Sequence, residues 1–286
     1  MSSVKTVLKP REKDIGDFSV RRALPFMQQR SIGPWIFFDH FGPVSFKPGE
    51  GINVRPHPHI NLATVTYLFE GEIFHRDTLG NAMAIEPGAI NLMVAGKGIA
   101  HSERTRDELR KTGYDLHGLQ LWHALPEAFE EIEPAFYHTP ADDIPSVELD
   151  GVTLRVMMGA AFGVTSPVKT FSPNIYLEAD MKDCASFDVP EAEELGVYVV
   201  KGEADIDGGI APINAMTVLT SEAETITAKG DTRLAIIGGS PLGKRYLEWN
   251  FASSRKERIE QAKEDWKNGV FGDVPGDSEE RIPLPD

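Results

Sequence analysis

Arg55-Pro56-His57-Pro58-His59-Ile60-Asn61-Leu62-Ala63-Thr64-Val65-Thr66-Tyr67-Leu68-Phe69-Glu70-Gly71 is the stretch on which the reading of this chain turns. Residues 63–69 are rich in β-branched and aromatic side chains, the composition of a strand, and Glu70-Gly71 supplies a turn to end it. The two histidines at its head are one residue apart, and on a strand positions i and i+2 project from the same face. Ile99-Ala100-His101-Ser102-Glu103 repeats that spacing with a carboxylate in the second place. Two such pairs brought together present four candidate ligands, His57, His59, His101 and Glu103, to one interior. Gly51 precedes the first pair and Gly96 and Gly98 the second, as expected where backbone turns tightly to bring strands close. A lone His-x-His is more often a hydrogen-bonded or surface pair; the matching His-x-Glu raises the metal reading above that. Three neutral imidazoles and a carboxylate suit a borderline first-row divalent ion, and a pseudo-octahedral arrangement leaves two positions open, which implies chemistry rather than scaffolding.

Outward from this segment the chain continues as β-structure. Residues 152–157, 197–200 and 234–237 read as further strands, and Thr78-Leu79-Gly80-Asn81, Glu86-Pro87-Gly88 and Lys201-Gly202 as turns, at the spacing of antiparallel sandwiches and barrels. Residues 66–73 (TYLFEGEI) and 197–204 (VYVVKGEA) echo each other as strand, glycine turn and strand, the mark of a duplicated unit. All eight histidines fall at or before His138, so only the first half can hold an imidazole-rich site. One long helix is expected over residues 255–267, capped by Ser253 or Ser254 and stopped at Asn268-Gly269, with Ile259, Ala262 and Trp266 on its apolar face. That stripe predicts packing on a barrel, with no chemistry of its own. The Pro-, Gly- and acid-rich end is expected to lie against the body or fray.

A length of 286 residues accommodates two ordinary domains, or one large all-β domain. The formal charge of −15 argues against a broad nucleic-acid face, because phosphate binding needs clustered Lys and Arg. No apolar run approaches the roughly 20 residues that cross a bilayer, and the start, MSSVKTVLKPREKD, lacks a signal peptide's apolar core. The lone Cys184 excludes an internal disulfide and fits a reducing compartment, so the expected location is cytoplasmic.

Residues 55–81 (RPHPHINLATVTYLFEGEIFHRDTLGN), 87–103 (PGAINLMVAGKGIAHSE) and 117–126 (HGLQLWHALP) resemble the pirin family of the cupin superfamily, from WIFFDHFGP at residues 35–43 to SRKERIEQAKEDWKNG at residues 254–269. The resemblance implies an all-β bicupin with two antiparallel β-barrels and a C-terminal helix. Its first barrel, residues 1–138, would bind one divalent ion, Fe(2+), through His57, His59, His101 and Glu103. The second, residues 139–286 with the helix and tail, would bind none. Many cupins place a metal-binding glutamate four residues after the second histidine; Ala63 stands there, and in the pirin arrangement Glu103 takes the role.

The activity implied is that of a metal-dependent quercetin 2,3-dioxygenase, opening a flavonol with dioxygen and releasing carbon monoxide, with Glu103 as ligand and proton acceptor. The alternative is an iron-dependent redox-sensing module that binds partner proteins. Neither expects nucleic acid or membrane as partner. His75, His117 and His123 are expected to be structural or to stand behind the ligands. Asp39-His40 is expected to close a barrel edge as a turn, Met93 and Phe41 to help wall the site, and Gln120 to face the pocket.

Overall fold

Val152, Leu154 and Val156 alternate with polar residues, as do Leu177 and Ala179 about Glu178, whereas Val197 and Val199 flank Tyr198 and Leu234 and Ile236 flank Ala235. In the computed structural model, which describes residues 2–285, these side chains meet in one buried aliphatic core, because a strand sends alternate residues to one face. The strands that carry them, Glu194–Ile206, Thr225–Gly239, Asn174–Met181 and Val152–Met158, are successive neighbours in a nine-stranded sheet and pair antiparallel.

Lys201-Gly202, expected as a turn, lies inside the strand Glu194–Ile206, where the register against Thr225–Gly239 shifts between Val199 and Lys201 and again between Lys201 and Glu203. Gly202 has φ 81°, and a Cβ there would stand 2.5 Å from Thr232 Oγ1. Glycine here serves a bulge, not a reversal of the chain. Its counterpart Gly71 does lie between two strands, Leu62–Glu70 and Ile73–Asp77. Asp39-His40 is likewise no turn: both residues sit within the strand Trp35–Phe46. The Asp39 carboxylate accepts two hydrogen bonds from Arg22, at 2.9 and 2.7 Å.

The chain forms two compact units, neither continuous in sequence. One comprises the chain up to Glu12, Arg21–Asp39 and Thr139–Pro241; the other comprises Lys13–Val20, His40–His138 and the chain from Leu242. Two local pairings gather these separated segments. The strand Val4–Leu8 hydrogen-bonds antiparallel to Met216–Leu219 in the first unit. The C-terminal helix buries its apolar stripe in the second.

In that second unit a four-stranded sheet runs in the order Asn53–His59, Ile99–Arg104, Ile73–Asp77, Ala82–Ile85. Asn53–His59 is its edge, the place where Pro56 and Pro58, lacking N–H donors, disturb a ladder least. In a larger sheet Leu62–Glu70 lies between Ile90–Val94 and Tyr114–Ala124. The helix spans Lys256–Lys267; Ser253 Oγ accepts the Arg255 N–H at 3.1 Å, while the Ser254 hydroxyl donates to Glu130. Ile259, Ala262 and Trp266 pack on Ile60, Ala100, Phe251 and Val274. Full burial of side chains as large as Ile259 and Trp266 stabilises by roughly 1.5–3 kcal/mol each. The tail beyond lies against its unit: the Ile282 N–H donates to Pro56 O at 2.8 Å and Trp266 Nε1–H to Ile282 O at 2.9 Å. No helix among the described residues is long and apolar enough to cross a membrane.

In the first unit Glu178, 3% exposed, accepts the Tyr176 hydroxyl at 2.7 Å, and burial pushes its carboxyl up to about 8 from an ordinary 4.5. The folded chain thus holds a proton that the unfolded chain releases, so this group's contribution is complete below about pH 4.5 and is lost as the pH rises through about 8. Glu178→Gln keeps the acceptor and removes the ionisation. Its melting temperature should match wild type near about pH 5 and exceed it at about pH 9, by an amount corresponding to on the order of a few kcal/mol. Equal melting temperatures at the higher pH would show that the carboxyl ionises in the fold without penalty.

Candidate metal centre

Antiparallel pairing sets His101 directly opposite His57 and Ile99 opposite His59. Between His101 and Glu103 the register shifts, so that Glu103 lies opposite Val54 and the extra residue falls in Arg55-Pro56. Proline, with no N–H to give, is suited to that bulge. The result is that ring nitrogens of His57, His59 and His101 all lie within 4.8 Å of one another, and His59 Nε2 stands 3.1 Å from His101 Nε2. All three residues are buried.

Backbone carbonyls set the tautomers of two of them. His57 Nδ1 is 2.9 Å from Arg55 O, and His59 Nδ1 is 3.0 Å from Asn250 O. A carbonyl only accepts, so each Nδ1 carries the hydrogen and each Nε2 is left as a lone pair. Burial lowers His57 to about 4, and burial first, then neighbouring imidazoles, hold His59 and His101 well below the ordinary 6.5. These rings are neutral at neutral pH, the state in which imidazole binds a metal.

Glu103 stands two residues beyond His101, outside the 4.8 Å set. Its Oε1 is shielded from solvent with no hydrogen-bond partner among the described residues, and burial pushes its carboxyl up to about 7 from 4.5. An unpaired buried carboxyl oxygen is unfavourable unless a proton or cation compensates it. Convergent imidazole lone pairs and an orphaned carboxyl oxygen are a donor set that fits a divalent cation. The structure therefore clusters three of the four expected residues and leaves the fourth nearby in sequence with an open valence.

The surroundings sort the remaining candidates. The Trp122 ring stands edge-on to His59, centroids 4.9 Å apart. Thr64 is opposite Trp122 on one side and Met93 on the other, so a row of side chains from three strands lines that face. Gln120 shares the face of Trp122 by alternation and accepts a hydrogen bond from Thr66 at 3.0 Å. Ala63, fully buried, belongs to the opposite face from Thr64. Phe41 packs elsewhere, in a core cluster with Leu68 and Leu116. His117 stands 2.8 Å from His40, and His138 Nδ1 is 2.7 Å from Asn91 Oδ1. Cys184 is exposed.

Two contributors escaped the sequence reading. Asn250 acts through its carbonyl, which no side-chain pattern announces; its segment is held by a bridge between Ile60 and Phe251 and by Glu130, which accepts the Ser254 N–H at 2.7 Å and pairs with Arg245 at 3.2 Å. Asp77 is fully buried beside His75, and its signal was present: His75 and Asp77 repeat the one-residue spacing of the ligand pairs. The glycines before His101 serve close approach, since a Cβ on Gly96 would collide with the Ile132 carbonyl and one on Gly98 with the Phe271 ring.

The family model Pirin matches residues 17–123, and the model of the Pirin C-terminal cupin domain matches residues 175–272. A pirin-like protein of Caulobacter vibrioides is 43% identical, covering 99% of this chain and 100% of that protein. The crystal structure of a quercetin 2,3-dioxygenase from Acinetobacter baumannii superposes with a TM-score of 0.91 at 35% identity, covering 98% of this chain and 95% of that one. The bacterial pirin YhhW from Escherichia coli, solved in complex with nickel(II), shares the fold at a TM-score of 0.65 and 20% identity, over 82% of this chain and 99% of that one. The all-β bicupin architecture is thus the fold of this chain.

In metal-free protein, carbon-13 titration should place the Glu103 carboxyl near 7 and keep the His57 ring neutral until about pH 4. A Glu103 midpoint below about 5, the ordinary carboxylate range, would contradict the shielding of its carboxyl.

Proposed function

The chain belongs to the pirin family, and from that premise we propose that it is a metal-dependent dioxygenase that opens a flavonol such as quercetin with dioxygen and releases carbon monoxide. The observation that carries the reading is the convergence of three buried, neutral imidazoles next to a carboxyl oxygen with no partner. Its substrate class comes from the likeness to the Acinetobacter baumannii quercetin 2,3-dioxygenase. We assign His57, His59, His101 and Glu103 as the ligands of one ion, and Fe(2+) as that ion. The unit holding all eight histidines is the one we assign to it, since the other unit contains no imidazole. The exposed lone thiol of Cys184 fits a reducing, cytoplasmic setting.

When bound, the ion supplies a Lewis-acidic centre with open coordination positions. The rest belongs to the chain. His57 and His59, their Nδ1–H groups held by carbonyls, keep their Nε2 atoms aimed without rearrangement. Trp122, whose ring stands edge-on to His59, is the aromatic surface against which we seat a planar aromatic substrate. Glu103, when it loosens from the ion, offers the carboxylate that takes the proton of a flavonol 3-hydroxyl.

Iron-loaded protein mixed with quercetin should consume dioxygen and release carbon monoxide in equal amounts. Verified iron occupancy without turnover above a metal-free control would sink this reading. His101→Ala should lose both bound iron and turnover; retention of either would show the ligand assignment to be wrong. Glu103→Gln, compared at iron occupancy matched to wild type, should lower kcat by about 10²–10⁴-fold.

A further inference from the structure

Phe74-His75-Arg76-Asp77 lies on the strand next to the one that carries His101. Its register sets Asp77 opposite His101 and His75 opposite Glu103. His75 and Asp77 share a face and are both buried, at 2% and 0% exposure. His75 Nε2 is 3.1 Å from Asp77 Oδ2, and its Nδ1 is 3.4 Å from His101 Nδ1. Phe136 stacks on the His75 ring, centroids 4.5 Å apart, and fixes its plane.

The Asp77 carboxylate is surrounded by donors. Oδ1 accepts the N–H groups of Leu79 and Asn81 at 2.9 and 3.1 Å, and Asn81 Nδ2 reaches Oδ1 and Oδ2 at 3.1 and 2.9 Å. An ionised carboxylate only accepts, so His75 gives it the Nε2–H, and a singly protonated ring then keeps its lone pair on Nδ1. That lone pair faces His101 Nδ1, whose matching state is N–H. His101 Nε2 is then bare and faces His59 Nε2 at 3.1 Å.

We propose that Asp77 and His75 are positioning residues, a two-step hydrogen-bond relay that locks His101 in its Nδ1–H tautomer and so presents Nε2 to the metal. The inference rests on the metal reading of the site. It accounts for an asymmetry among the three imidazoles: backbone carbonyls orient His57 and His59, whereas His101 is oriented entirely by side chains. His101 is therefore the ligand whose tautomer a point substitution can invert. In Asp77→Asn the amide oxygen stays with the Leu79 and Asn81 N–H groups and the amide nitrogen turns to His75. His75 must then carry its hydrogen on Nδ1, His101 on Nε2, and the metal loses that lone pair. A wrong-tautomer effect of this kind is known for the aspartate of serine-protease triads.

Two measurements test the relay. Long-range proton–nitrogen-15 correlation spectra of the metal-free wild-type chain should show His75 as the Nε2–H tautomer and His101 as the Nδ1–H tautomer; the reverse assignment for either ring overturns the proposal. Cobalt(II), titrated in competition with a chromophoric chelator, should bind Asp77→Asn and His75→Leu about 10–100-fold more weakly than wild type. His75→Asn, whose amide oxygen can stand where Nδ1 stood, should recover much of that loss. Folded Asp77→Asn that binds cobalt within about twofold of wild type, with the His101 tautomer unchanged, would overturn the relay while leaving the site itself intact. Failure of wild type to bind cobalt would instead remove the proposed function, and the wild-type spectra would still decide the tautomers.

Discussion

Everything at this site depends on one register: His101 directly across an antiparallel pair from His57, with Ile99 opposite His59. A slip of one residue would carry an entire set of side chains to the other face of the sheet. Two features oppose it. The bulge at Arg55-Pro56 absorbs the extra residue before Glu103, where proline has no ladder bond to lose. Ile60 and Ala100, each adjacent in sequence to a ligand histidine, are buried beneath Ile259, Ala262 and Trp266 of the C-terminal helix. The helix thus acts on the site from behind, by holding the two strands at the depth where their opposite faces converge.

Burial then does the electrostatic work. It strips protons from the imidazoles, whose charged forms are poorly solvated there, and it drives the Glu103 carboxyl upward by the same penalty. The site is consequently near charge neutrality when metal-free, with lone pairs and a carboxyl oxygen that only an electron-poor partner can satisfy. Each imidazole has a different acceptor behind it: Arg55 O, Asn250 O and His75. The strap that carries Asn250 comes from the C-terminal end of the chain, so the residues after Leu242 belong to the same compact unit as the histidines.

Much of this was visible in the amino-acid sequence, and the misses share a cause. The pairs His57/His59 and His101/Glu103, the strand from Leu62 and the helix with Ile259, Ala262 and Trp266 are local periodicities, and local periodicity survives folding. Lys201-Gly202 and Asp39-His40 were misread because a glycine with positive φ serves a bulge as well as a turn, and because Asp39 finds a guanidinium, Arg22, that no local pattern reveals. The exchange of terminal segments between units and the Asn250 carbonyl are set by long-range pairing, which spacing does not encode. Asp77 was readable: its spacing from His75 equals that of the ligands, but a carboxylate that binds an imidazole behind a ligand looks in sequence like any other.

The central claim is that one ion sits among His57, His59, His101 and Glu103. Crystals soaked anaerobically in ferrous ion and measured at the iron absorption edge test it most directly. The account predicts one anomalous peak per chain, about 2.1 Å from the Nε2 atom of each of the three histidines and within similar reach of a Glu103 oxygen. A peak bound through Nδ1, one lacking any of the three imidazoles, or one located among the aliphatic residues of the other unit would contradict it.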